Sequence, residues 1–158
     1  MNFKIREACL RDFDRLKPLH KEVHDLHVAG RPDKYKATEE TLDWNYFNEL
    51  IESPDGKILL IEDGESIVGF TILKKVQPPK WETKVQSSVV FMEDLGVAPS
   101  YQRKGLARML FEKALEFTKD CHADSLELGV WEFNQTAIEF YEQMGMTTQA
   151  RKMEIKVN

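Results

Sequence analysis

"GVAPSYQRKGLARML", Gly96 to Leu110, decides how the rest of the chain is read. It starts as the end of an apolar run and crosses a turn at Pro99 and Ser100. It then presents Gln102, Arg103, Lys104 and Gly105 immediately before a helical apolar rhythm. A helix start exposes unpaired backbone N–H groups and the positive end of the macrodipole, which makes it a natural anion site. Gly105 lets the backbone approach a bulky ligand closely, and Ala107 keeps the next turn slim. Arg103, Lys104 and Arg108 add positive charge at the same spot, and a diphosphate fits such a cradle. Taken alone, the segment is equally consistent with an ordinary solvated helix start. Two other phosphate motifs are absent: GxxxxGK followed by Ser or Thr, and GxGxxG after a strand.

Outward from this turn, the chain alternates strand and helix patterns. "FKIREA" alternates apolar and polar residues as a first strand. From Asp12 a helix takes over, with Phe13, Leu16, Leu19, Val23 and Leu26 at spacings of three and four, until "GRPDKYKA" breaks it. A second helix is expected from Thr38, where "TEET" resembles a capping box, carrying Leu42, Trp44, Phe47, Leu50 and Ile51. "KILLIE", "SIVGFTIL" and "SVVFMEDLGV" are strands, the first two joined by the hairpin turn "DGE" and the third reached through the polar loop "QPPKWETKVQ". Leu106, Met109, Leu110, Ala114, Leu115 and Phe117 mark an amphipathic helix. "SLELGVW" reads as a strand, "QTAIEFYEQMG" as a helix closed by Gly145, and "RKMEIKV" as a last strand. The order β-α-α-β-β-β-α-β-α-β specifies a mixed α/β (α+β) architecture over one domain, residues 1–158.

Composition narrows the function. The 158 residues suffice for one cored domain, and the net charge of −5 excludes a general nucleic-acid or anionic-membrane binder, which needs dense Lys and Arg. No apolar stretch has the length of a membrane span, and the N-terminus carries no apolar signal region. The two cysteines, Cys9 and Cys121, sit in no metal or redox spacing and read as free thiols of a cytoplasmic protein.

With those residues in view, "LGVAPSYQRKGLA" resembles the acyl-CoA-binding signature of the GNAT N-acetyltransferase superfamily, Q/R-x-x-G-x-G/A. Gln102, Gly105 and Ala107 fill its defined positions, with Ala107 where many members carry a second Gly. "VWEFNQTAIEFYEQMGM" is similar to the family's second signature through Asn134, Tyr141 and Gly145. The resemblance covers nearly the whole chain. It implies a GNAT-like fold, a central mixed twisted sheet flanked by roughly four helices. It also implies that acetyl-CoA is a co-substrate and an amine the acceptor. In that family pattern, backbone groups of the strand Leu95, Gly96, Val97 hold the pantetheine arm through Leu95 and Val97. Amides from Arg103 through Lys104, Gly105, Leu106 and Ala107 to Arg108 wrap the pyrophosphate. Asn134 contacts the pantetheine arm or the adenosine side, and Tyr141 sits close to the sulfur.

Acyl transfer from a thioester to an amine needs a neutral amine, a polarised carbonyl and a proton for the leaving thiolate. Tyr141, a phenol on an apolar helix, is the candidate acid; a core tyrosine with a satisfied hydroxyl is the competing reading. Glu93, on the strand four residues before Val97, is the candidate base, acting through water as in some superfamily members. A solvent-facing strand residue or ion-pair partner is the competing reading there. Asp94 faces the other side if the strand is regular, and a bulge would change that assignment.

Cys121-His122 reads as a helix-end cap rather than a nucleophile and its base, since adjacent side chains seldom face each other. His20, His24 and His27 share a helical face, but no carboxylate or cysteine pattern makes them a metal site. Tyr35, Trp44, Tyr46 and Phe47 lie where family members build the acceptor pocket, although aromatics at such spacings also serve as core. The fold alone leaves two functions open, an N-acetyltransferase and a non-catalytic acyl-CoA-binding or regulatory domain. Intact Glu93 and Tyr141 favour the enzyme. A homodimer is expected from the family's habit of self-association and from a terminal strand able to pair at a sheet edge.

Overall fold

The expected hairpin forms the centre of a mixed sheet. The computed structural model describes residues 2–158. Strands β1 (Phe3–Glu7), β2 (Gly56–Asp63), β3 (Ser66–Val76), β4 (Val89–Val97) and β5 (Ser125–Leu128) lie side by side in sequence order. The first four pair antiparallel, and β5 joins β4 in parallel. Asp63 pairs with Ser66 across the Gly64–Glu65 turn, where Gly64 takes a φ of 63°. That positive φ is the backbone state a tight hairpin demands and glycine supplies without steric cost.

Both faces of the sheet are covered, so β2 is apolar on both of its alternating sides. Ile58 and Leu60 face helices α1 (Phe13–Gly30) and α2 (Trp44–Glu52), packing with Leu16, Leu19, Phe47 and Leu50. Leu59 and Ile61 face helix α3 (Leu106–Asp120), packing with Leu106, Leu110, Phe111 and Ala114. Helix α4 (Gln135–Gln143) lies on the α3 side through Phe140 and Tyr141. The mixed α/β architecture with four helices is the expected one.

Three boundaries differ from the expectation. The second helix begins at Trp44, because Asp43 is its cap and accepts from the Tyr46 N–H at 2.9 Å; Thr38 only bonds the Glu40 N–H locally. Strand β5 stops at Leu128, where its ladder with β4 ends. The terminal "RKMEIKV" pairs with no strand. Glu154 reaches Arg31 at 2.7 Å and Lys156 reaches Asp33 at 3.5 Å, so the segment follows the turn after α1 rather than a sheet edge. Its Met153, Ile155 and Val157 are left 83–88% exposed.

A buried ion network joins the start of α1 to the sheet. Asp12 is fully buried and takes both guanidinium N–H groups of Arg6 at 2.8 Å, Arg15 at 3.0 Å and the Cys9 N–H at 2.8 Å. Glu62 accepts from the same two arginines. The Arg6 contact holds the Asp12 carboxyl well below the usual carboxylate range.

Candidate active site

Where the parallel ladder of β4 and β5 ends at Met92 and Leu128, β4 continues alone for five residues beside β3. The gap between the two strands opens a cleft of about 270 Å³. Met92 to Val97 line one side and Leu128, Gly129, Val130 and Trp131 the other. Helix α1 closes it with Val23 and His27, and α4 with Ala137 and Tyr141. The β4 backbone here has β3 on one edge only, so the edge facing the cleft is available to an extended ligand arm.

A bulge decides which side chains enter. Ile72 pairs with Asp94 and Leu73 with Met92, which leaves Glu93 as the extra residue on β4. The consecutive carboxylates therefore lie on one face. Glu93 accepts a hydrogen bond from the Tyr46 hydroxyl on α2, and Asp94 lies 3.7 Å from His20 on α1. The regular-strand expectation for Asp94 is overturned by this inserted residue. Leu95 and Val97 instead turn to the α3 core. Gly96 has no room for a side chain, since a Cβ would stand 2.5 Å from Val23 and 2.8 Å from Phe70. It brings α1 down onto the strand at the cleft wall.

Burial and mutual charge tune these groups in the useful directions. Glu93 is raised above its ordinary pKa, first by desolvation and then by the Asp94 charge, which makes it the stronger base. The Tyr141 phenol is pushed up to about 12, mainly by burial and secondarily by Asp94, so it keeps its proton at neutral pH. Its ring packs against Phe111 and Phe140 while the residue borders the cleft. Cys121 caps the end of α3 and its thiol is raised by burial, the opposite of an activated nucleophile.

The turn that opens α3 lies at the outer end of the cleft. Pro99 and Gln102 line it, and Gln102 donates to the Val97 carbonyl at 3.4 Å. Gly105 caps α3 with a φ of 83° and Arg103 has a φ of 63°, two left-handed residues that bend the chain sharply. Gly105 has no side chain to cap the first-turn amides, and a Cβ added there would meet nothing within 4 Å among the described residues. That open cradle suits a diphosphate. Leu106 anchors the turn in the core at 1% exposure. Arg103, Lys104, Gly105, Leu106, Ala107 and Arg108 stand outside the cleft walls, and Arg108 pairs with Glu112 at 3.2 Å. Asn134 borders the cleft but spends its side-chain oxygen capping α4, accepting from Ala137 at 3.2 Å.

The three α1 histidines are each engaged separately. His20 contacts Thr41 at 2.9 Å, His24 the Lys36 carbonyl at 2.7 Å and His27 the Val23 carbonyl at 2.9 Å. No metal-binding group of side chains occurs among the described residues. Sequence reasoning missed Trp131, which forms the far wall while donating to the Tyr35 hydroxyl at 2.9 Å and stacking under Arg31. Its one signal was its place at the end of the fifth strand. The loop around Trp81 contributes nothing to the cleft walls, and Trp81 stays exposed.

A parallel pair splaying beside a bulged strand, with a helix-start cradle at its mouth, defines a class of cleft. Comparison with known proteins places the chain in it. Residues 19–146 match the model of the acetyltransferase (GNAT) family, and the protein belongs to that family. It is 26% identical over 149 residues to the thialysine N-epsilon-acetyltransferase of Bos taurus, covering 89% of this chain and 82% of that one. An uncharacterised N-acetyltransferase in the pepI 3' region of Lactobacillus delbrueckii subsp. lactis is 28% identical over 73% of this chain, which spans 65% of that relative's length. A mutant of the BH1408 protein from Bacillus halodurans superposes with a TM-score of 0.93 at 31% identity, over 98% of this chain and 99% of that one. The aminoglycoside N-acetyltransferase AAC(6')-Iy in complex with CoA shares the fold, with a TM-score of 0.78 at 14% identity over 99% and 95% of the chains. No helix among the described residues is long and apolar enough to cross a membrane.

Proposed function

We propose that this chain is a single-domain, acetyl-CoA-dependent N-acetyltransferase of the cytoplasm that passes an acetyl group directly to an amine of a small molecule or peptide. The observation that carries the reading is the cleft itself. Its lining includes a carboxylate raised towards basicity and a phenol held protonated, beside a stretch of strand that is paired on one edge only.

In this reading, the edge of Leu95, Gly96 and Val97 pairs with the pantetheine arm, and the amides from Arg103 to Arg108 take the pyrophosphate. Glu93, held by Tyr46, draws a proton from the acceptor amine through water. The neutral amine attacks the thioester carbonyl, whose oxygen is stabilised by an N–H near Val97. As the carbon–sulfur bond breaks, Tyr141 gives its proton to the departing thiolate. The proton taken by Glu93 passes to solvent as the one proton the transfer releases, and the second amine proton leaves the attacking nitrogen as the tetrahedral intermediate collapses and restores Tyr141 through water, so the cycle balances without a covalent acyl-enzyme.

Glu22, Glu93 and Asp94 line the cleft and no Lys or Arg does, which supports an acceptor carrying positive charge. The thialysine acetyltransferase relatives point the same way. The test is calorimetry with CoA and acetyl-CoA, followed by thiol release from acetyl-CoA over a panel of lysine analogues, polyamines, aminoglycosides and peptides. Binding of CoA with thiol release for at least one cationic amine is expected. CoA binding without thiol release on any amine would favour the non-catalytic domain.

A further inference from the structure

The turn that opens α3 is held from a part of the chain that lies in neither signature. Gln102, Arg103, Lys104 and Gly105 are exposed, and the residue on each side of them is anchored. Leu106 is buried in the core on the far side. On the near side Tyr101 is half-buried. Its ring meets Phe3 of β1 edge-on at 6.0 Å, and its hydroxyl donates to the Asp63 carboxylate at 2.7 Å. The bond to Asp63 raises the phenol above its ordinary pKa, so Tyr101 keeps the proton it donates.

The segment between the anchors needs that restraint. Arg103 and Gly105 have φ of 63° and 83°, and a left-handed state at a residue with a Cβ persists only where its surroundings impose it. The bonds made by Gln102 are long: its N–H reaches the Pro99 carbonyl at 3.4 Å and its side chain the Val97 carbonyl at 3.4 Å. Asp63, by contrast, is set in the sheet, paired with Phe3 on one side and Ser66 on the other. The hairpin it closes is also tied to α1, whose Arg15 donates to the Glu65 carbonyl at 2.7 Å and to Glu62 at 3.1 Å.

We infer that Tyr101 is a positioning residue: its bond to Asp63 fastens the turn 102–105 to the β2–β3 hairpin and holds the first amides of α3 in place before a ligand arrives. The inference rests on the reading of this turn as the diphosphate site of CoA. Tyr101 acts there through the turn and not on the reacting atoms. Without the bond the turn samples other conformations, and CoA affinity falls with the fraction of molecules that keep the competent one. Tyr101 and Asp63 are 38 positions apart, so the tie exists only through the folded sheet.

The test compares Tyr101→Phe, which keeps the ring against Phe3, with Asp63→Ala, Asp63→Asn and the Tyr101→Phe, Asp63→Ala double variant. Calorimetry with CoA is expected to show binding weakened about tenfold in Tyr101→Phe and in Asp63→Ala, as for a competent fraction of about one tenth. The double variant is expected to bind no more weakly than the weaker single variant, because both delete the same bond. Asp63→Asn keeps an oxygen that accepts and is expected to lose less. In the CoA-free protein, NMR order parameters of amides 102–105 are expected to fall in Tyr101→Phe from about 0.85 towards about 0.6, with those of β2 and β3 unchanged. Parent-like CoA affinity in Tyr101→Phe, additive losses in the double variant, or unchanged order parameters would each overturn the inference. A parent that binds no CoA would instead sink the diphosphate reading, and the order parameters would still decide whether Tyr101 holds the turn.

Discussion

The Tyr46 hydroxyl donates to the Glu93 carboxylate, tying helix α2 to the one residue of β4 that has no partner on β3. This contact gives the bulge a purpose. It fixes a carboxylate that would otherwise swing at the rim, and it does so with a neutral donor that leaves the carboxylate basic.

Removing that donor has a signed consequence. A hydrogen bond to the ionised form favours ionisation, so Tyr46→Phe raises the Glu93 pKa further. The acid limb of the kcat/KM profile is expected to move to higher pH, with CoA affinity unchanged. Steady-state rates across pH 5 to 9 check this; an unmoved acid limb would separate Tyr46 from the base.

Glu93→Gln should slow turnover and stabilise the fold at once. The parent's folded-state pKa is raised, so its contribution to stability is complete below the unfolded value of about 4.3 and is lost as pH rises through the folded one. The melting temperature of Glu93→Gln is thus expected to exceed the parent's at pH 7 and to approach it at pH 4. Its rate deficit is expected to shrink at high pH, where more amine is already neutral.

Tyr141→Phe keeps the ring against Phe111 and Phe140 and deletes only the proton. CoA should still bind while kcat falls by about 100-fold, the usual worth of a positioned acid. Direct transfer also predicts that enzyme mixed with acetyl-CoA alone gains no acetyl mass. A stoichiometric adduct discharged by amine would restore Cys121 as a nucleophile.

The two glycines of the site are expected to fail differently. Gly96→Ala drives a Cβ into Val23 and Phe70 and should cost about 1–3 kcal/mol of stability, read by urea unfolding. Gly105→Val meets no neighbour but strains a positive φ and fills the cradle, so CoA affinity should drop more than stability. Equal CoA affinity in Gly105→Val would move the diphosphate site elsewhere.

Asp12 governs acid sensitivity. Its pKa is held below the usual range chiefly by Arg6, so the stability it contributes is present above about pH 4 and is lost as pH falls further. Asp12→Ala leaves two arginines facing Glu62 alone and should cost about 3–5 kcal/mol at pH 7. The difference from the parent should narrow in acid.

Local chemistry was legible in the sequence wherever a feature spans a few neighbouring residues. The Gly105 turn, the α3 and α4 periodicities, the hairpin at Gly64 and the two signatures around Gln102 and Tyr141 all depend on contacts within one or two turns of chain. Tertiary structure alone decided the rest, because it depends on register between distant segments. Glu93 and Asp94 share a face only because β3, some twenty positions earlier, skips one residue of β4. Trp131 becomes a wall only because β5 leaves β4 after Leu128. "RKMEIKV" has the alternation of a strand, but alternation specifies a face and not a partner. Arg31 and Asp33 hold its polar side and leave Met153, Ile155 and Val157 exposed.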